Sequence, residues 1–116
     1  MIERIIRNPF MHIYIANVNW PNDIKARPVL IVVKSDKHVK VYKITSVNPR
    51  RKPKKIGQNY ISIMLWKQAG LDKPSWIDIN HAYQLNRKQA TRYPPVGKLQ
   101  PEDVSHLFEI LMRKYD

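Results

Sequence analysis

Arg27-Pro28-Val29-Leu30-Ile31-Val32-Val33 is the stretch whose reading decides the fold. Five apolar residues follow the proline, four of them β-branched, a run too short for a typical helix and suited to a strand covered on both faces. Proline has no amide hydrogen to give to a ladder, so Pro28 is expected at the strand's first residue, with Arg27 in the loop at its mouth. A side chain placed there is held by rigid backbone and still meets solvent. The segment from His38 to Thr45 reads as the next strand and closes on Ile44-Thr45-Ser46. Hydroxyls ending one strand and an arginine at the mouth of the other are expected to meet in one pocket.

Working outward, Met11, Ile13 and Ile15 alternate with His12, Tyr14 and Ala16, the period of a strand with its Ile face inward. Asn19-Trp20-Pro21-Asn22-Asp23 then reads as a turn, and Ser35-Asp36-Lys37 as a hairpin, so the first three strands form an antiparallel meander. Ile61 and Ile63 mark a strand between Asn59 and Met64, and Leu65 to Gly70 reads as one helical turn ended by glycine. Two short strands are predicted at Ser75 to Asn80 and Ala82 to Asn86. Pro101 suits a first helical position, and Val104, Leu107, Phe108, Leu111 and Tyr115 form one apolar stripe. Glu102 and Asp103 suit its positive end, Arg113 and Lys114 its negative end. The fold class is mainly β with α: a small, curved antiparallel β-barrel of about six strands with a C-terminal α-helix, one domain over residues 1–116.

Between Ser46 and Gln58 apolar periodicity disappears. Arg50, Arg51, Lys52, Lys54 and Lys55 crowd beside Pro49 and Pro53, and the segment is expected to be a mobile loop. The whole chain carries 21 Lys and Arg against 9 acids, a formal charge of +12, which points to a polyanionic partner. Because basic residues are interleaved with aromatics and no amphipathic surface helix is evident, nucleic acid is favoured over a membrane. Trp20, Tyr60 and Trp66 are candidates to stack unpaired bases, with Trp20 the exposed one and Trp66 and Trp76 reading as core. Lys25 joins the five loop cations as a backbone contact.

Other chemistry is excluded or open. With no cysteine there are no disulfides or thiolate metal sites, and three glycines, Gly57, Gly70 and Gly97, make no phosphate-cradling loop. The four histidines show no metal-ligand spacing, so neither metal nor cofactor is expected. Met1 to Arg7 holds an acid and two arginines before any apolar run of signal-peptide length, and a cytoplasmic protein is expected.

Four segments together, Arg27-Pro28-Val29-Leu30-Ile31-Val32, Ile44-Thr45-Ser46, Ala69-Gly70-Leu71-Asp72-Lys73-Pro74-Ser75 and Val96-Gly97-Lys98-Leu99, resemble the MazF/PemK family in order and spacing. The resemblance runs from about Met11 to the end of the chain. It implies the toxin of a type II toxin-antitoxin pair: an SH3-like barrel that forms a homodimer, cleaves single-stranded RNA without a metal, and is inhibited by an acidic antitoxin protein. It also implies that Arg27 and Thr45 are catalytic, with Ser46 beside them. The stretch Trp20 to Lys25 departs from the family pattern, which has a glycine and a glutamate ahead of the arginine.

Metal-free cleavage uses the ribose 2′-hydroxyl as nucleophile and leaves a 2′,3′-cyclic phosphate. A guanidinium grips two phosphate oxygens and a threonine hydroxyl donates to a third position. Arginine stays protonated at neutral pH, so Arg27 is a charge stabiliser and not a base. For the base, His38, His81, Asp23 and water stay open. Two other readings compete: a small barrel that binds nucleic acid without cutting it, and a gyrase-poisoning toxin of the same fold.

Overall fold

The computed structural model describes residues 9–20 and 23–115, with side chains described for 9–17 and 26–114. In chain order the elements are β1 (His12–Trp20), β2 (Asp23–Lys34), β3 (His38–Thr45), α1 (Lys54–Gly57), β4 (Tyr60–Ser62), β5 (Trp76–Asn86), α2 (Arg87–Ala90), β6 (Gly97–Lys98) and α3 (Pro101–Tyr115). The strands form one antiparallel sheet in the order β4-β5-β3-β2-β1-β6.

The opening stretch is a strand buried on both faces: Val29, Leu30 and Ile31 have no accessible surface. Leu30 belongs to a core shared with Ile13, Tyr42, Ile44, Ile77 and Leu107 of α3. Val29 and Ile31 face the opposite side, where they pack with Tyr14, Ala16, Val39, Val41 and Ala90 of α2. The expected burial of one face of β1 is therefore corrected. Tyr14 and Ala16 are buried by the second cluster, whereas Ile15 is 44% exposed.

Arg27 is also relocated. β2 begins at Asp23, and Arg27 lies inside it, opposite Ala16 of β1. Pro28 pairs with Ile15 of β1 in register, and the β2–β3 ladder begins one residue later, at Val29 opposite Lys43, so the proline sits at the end of that ladder.

Three further expectations change. The strands predicted at Ser75 to Asn80 and Ala82 to Asn86 are one strand, β5, whose register against β3 shifts between the Tyr42–Ala82 and Lys43–Asp78 pairs. Such a bulge bends a strand without ending it. The segment from Ser46 to Gln58 holds two short helical turns, a 3₁₀ turn over Pro49–Arg51 and α1, neither burying any residue. Asn48 starts the first, its side-chain oxygen accepting from the Arg50 N–H at 3.0 Å.

The sheet does not close into a barrel. At its ends β4 and β6 have only three and two residues, too short to supply a ladder to each other. The gap is filled by packing. The turn after β4 ends in a Schellman cap, with Leu71 N–H donating to Trp66 O, Gly70 N–H donating to Lys67 O, and Gly70 at φ +95°. Gly70 then lies against Gly97 of β6: a Cβ on Gly70 would sit 2.4 Å from the Val96 carbonyl oxygen. Asp103 of α3 accepts from the Met64 and Leu65 N–H groups, both at 2.9 Å, and fixes the start of that turn.

Candidate nucleic-acid interface

Strand alternation places Arg27, Lys43 and Thr45 on one side of the sheet, the side of the Tyr14 and Val29 cluster. Two cross-strand rows run over that side. One passes from Tyr60 through Asp78, Lys43 and Val29 to Tyr14. Its neighbour begins Ser62, Trp76, Thr45, and on the far strands holds Arg27 and Ala16. The β2–β3 ladder ends at Val29 and Lys43, and the same register carried two residues further sets Arg27 across from Thr45. Those two residues lie beyond the last registered pair of the ladder.

Thr45 is half-buried and Ser46 exposed just beyond the strand end. The Thr45 hydroxyl oxygen accepts from the Val47 N–H at 3.1 Å, which orients the side chain and leaves its own hydrogen available to a donor role.

The first row carries an acid that sequence reasoning did not single out. Asp78 is 9% exposed. Its Oδ1 accepts from Asn80 N–H at 2.9 Å and Asn80 Nδ2 at 2.8 Å, and its Oδ2 lies 3.9 Å from Lys43 Nζ. Tyr60 feels this arrangement: burial first, then the charge and hydrogen bond of Asp78, push its phenol up to about 12. Burial, with Asp78 second, also raises Tyr83. Both phenols are therefore donors and not bases at neutral pH.

The basic loop is tied to this row. Lys52 Nζ sits 5.7 Å above the Tyr60 ring, and Asn80 Nδ2 donates to the Ile56 carbonyl of α1 at 3.2 Å. Asn59 Nδ2 donates to Asn80 Oδ1 at 3.0 Å. The bulge of β5 thus anchors the loop that carries Arg50, Arg51, Lys54 and Lys55, all exposed, beside the Thr45 end of β3.

Other expected residues fall elsewhere. His38 opens β3 and Thr45 ends it, seven residues away, which is about 23 Å in an extended strand, so His38 is outside the Arg27 and Thr45 row of its own chain. His81 is exposed in the β5 bulge with its ring edge-on to Tyr83 at 4.3 Å. The side chains of Trp20, Asp23 and Lys25 lie outside the described residues, as does the segment Met1 to Arg7. Trp66 packs against the main core, with Lys67 Nζ 5.5 Å over its ring. Trp76, read from sequence as core, is half-buried opposite Thr45. Among the described residues no group of three His, Asp or Glu side chains is placed to hold a metal, and no described helix is long and apolar enough to cross a membrane.

The chemistry on offer is polyanion binding. A guanidinium, a lysine held by a buried acid, a hydroxyl donor and a basic loop converge on one end of the sheet, with aromatic rings between them. The acid and its lysine, Asp78 and Lys43, carried no sequence signal that singled them out among the charged residues of a strongly basic chain.

No protein-family model matches the chain, and no curated protein matches it in sequence. The fold is that of a solved structure, Mycobacterium tuberculosis toxin MazF-mt6. The two superpose with a TM-score of 0.63 at 22% identity, over 84% of this chain and 89% of that one.

Proposed function

We propose that this protein is a MazF-type toxin: an endoribonuclease that cuts single-stranded RNA at the pocket between Arg27 and Thr45, without a metal. The observation that supports the reading is the β2–β3 register, which, carried two residues past the Val29–Lys43 pair, brings Arg27 across from Thr45 in a MazF-like fold. Neither the fold nor the charge would suffice alone.

In the proposed reaction the ribose 2′-oxygen attacks the adjacent phosphorus, the 5′-oxygen leaves, and a 2′,3′-cyclic phosphate remains. Negative charge builds on the non-bridging oxygens. Arg27 answers it with a fork of fixed N–H donors, and Thr45 donates from the other side, each worth around 3 kcal/mol of transition-state stabilisation in sites of this kind. Ser46 follows Thr45 directly in sequence and is exposed. Arg27, protonated throughout, donates a hydrogen bond to the leaving 5′-oxygen, which takes its proton from water and departs as a 5′-hydroxyl. The 2′-hydroxyl proton goes to water, Asp23 or His81.

Arg50, Arg51, Lys52, Lys54 and Lys55 serve as an electrostatic guide for the RNA backbone, a role that salt weakens. A formal charge of +12 also suits an acidic antitoxin protein covering the same surface, in a homodimeric toxin of the cytoplasm. The test is an oligoribonucleotide carrying one 2′-deoxy residue at the mapped cut. Cleavage there should cease while neighbouring sites are still cut. Persistent cleavage at the deoxy residue would reject the mechanism, and tight binding of wholly intact RNA would make the protein a binding module.

A further inference from the structure

A groove of about 500 Å³ opens beside Arg27 on the β1 side. Its lining is apolar in part, from Ile15, Ala16, Ala26, Leu85 and Ala90, and polar or aromatic in part, from Asn17, Asn86, Gln89, Arg92 and Tyr93. Ala16 stands directly opposite Arg27 in the β1–β2 ladder, so the two Cβ atoms are about 5 Å apart and the groove begins at the proposed catalytic arginine.

We infer that this groove seats one unpaired nucleobase of the RNA, next to the phosphate held at Arg27. The inference rests on the RNA reading above and names where that RNA is read. The lining suits a base. Tyr93 is 66% exposed, and the Arg92 guanidinium lies 5.6 Å from its ring centroid, a paired aromatic and cationic plane of the kind on which bases stack. Asn17 and Gln89 are exposed amides, each offering a donor and an acceptor, the pattern that the edge of a base presents in return.

The groove wall is preorganised. Asn86 Oδ1 accepts from the Gln89 N–H at 3.1 Å and starts α2. Arg87 ties that turn to the β2–β3 hairpin, its N–H donating to Lys37 O at 2.8 Å and its Nη1 to Ser35 O at 2.9 Å. A pocket held in this way binds with little ordering cost. An acidic peptide is the competing occupant. The lining holds one cation and three neutral amides among apolar residues, which favours a flat, neutral, hydrogen-bonding base over a string of carboxylates.

The experiment measures affinity for an oligoribonucleotide with a 2′-deoxy residue at the cut, so binding is read without cleavage. Tyr93→Ala should weaken binding about 5- to 150-fold, and Tyr93→Phe should restore it. Replacing the seated base by an abasic nucleotide should weaken wild type by a similar factor, with Tyr93→Ala adding little on that ligand. Gln89→Ala should change which base is preferred at that one position. Additive losses from Tyr93→Ala and the abasic ligand, or affinity unchanged within twofold, would overturn the groove assignment even if the wild type cuts RNA. Full coupling in a protein that cuts nothing would keep the groove and reject the nuclease. Failure of wild type to bind single-stranded RNA overturns both, and loss confined to an acidic peptide assigns the groove to a protein.

Discussion

Asp78 and Lys43 face each other across β5 and β3, carboxylate to ammonium at 3.9 Å, one row from Thr45. The same carboxylate holds Asn80, and Asn80 holds the basic loop through Ile56. One buried acid therefore fixes both a lysine on the face that carries Thr45 and the segment that follows Thr45.

Asp78→Asn keeps an acceptor for Asn80 and removes the charge. With that charge gone, Lys43 loses its carboxylate, and a loss of about 1–3 kcal/mol in urea unfolding is expected. Tyr60 should then titrate below its present value of about 12, because one of its causes is removed while burial stays. Ultraviolet titration of the phenols measures this directly. An unmoved Tyr60 would mean that burial alone sets its pKa.

Stability should depend on alkaline pH through Tyr60. Its folded pKa is about 12, against an ordinary value of 10.0 in the unfolded chain. The sign follows: the contribution is complete below pH 10.0 and is lost as pH rises toward about 12, where only the folded form still holds the proton. Tyr60→Phe should flatten this part of the stability profile, as read by thermal unfolding at a series of pH values.

Gly97→Ala tests how the two ends of the open sheet are joined. A Cβ there would lie 1.8 Å from the Ala69 carbonyl oxygen, so the backbone must move. A cost of at least about 3 kcal/mol is expected, seen as a lower urea midpoint. Gly70→Ala should behave alike, since it adds a clash with Val96 to a residue at φ +95°.

Serine at Arg50, Arg51, Lys52, Lys54 and Lys55 together should weaken RNA binding and shrink its salt dependence, by about 0.7 in log–log slope for each phosphate no longer neutralised. Cutting should persist at high RNA concentration. Affinity measured from low to high salt gives the slope, and an unaltered slope would remove the loop from the RNA path.

Much of the architecture was legible because local pattern and tertiary burial agree. β3 spans His38–Thr45 as alternation and turn residues predict, and α3 begins at Pro101. The local pattern reads Arg27 as a loop residue, whereas it lies inside β2. Pro28 argues for a strand start, yet the ladder with β1 runs through it back to Asp23, and that pairing is a tertiary fact. The sequence pattern of β5 suggests two strands for a similar reason: Asp78, Asn80 and Asn59 build the bulge together, and Asn59 lies 21 residues from Asn80 in sequence. Asp103 reads as a dipole partner, yet its carboxylate caps the turn at Met64, 39 residues away. Strand number suggests a closed barrel, whereas strand length decides against it.

Arg27→Ala should lower the cleavage rate at least about 100-fold while stability in urea stays within about 1 kcal/mol of wild type, because the residue grips phosphate in the proposed reaction and is only half-buried. Arg27→Lys should recover little, since a lysine has no planar fork. Unfolding of Arg27→Ala would instead make the arginine structural.

The most direct test is the end chemistry of fragments released from a long single-stranded RNA by the wild-type protein in EDTA. Discrete fragments with 2′,3′-cyclic phosphate at one end and 5′-hydroxyl at the other are expected, and none with Arg27→Ala. Intact RNA, or fragments ending in a 3′-hydroxyl and a 5′-phosphate, would contradict a metal-free cut at Arg27 and Thr45.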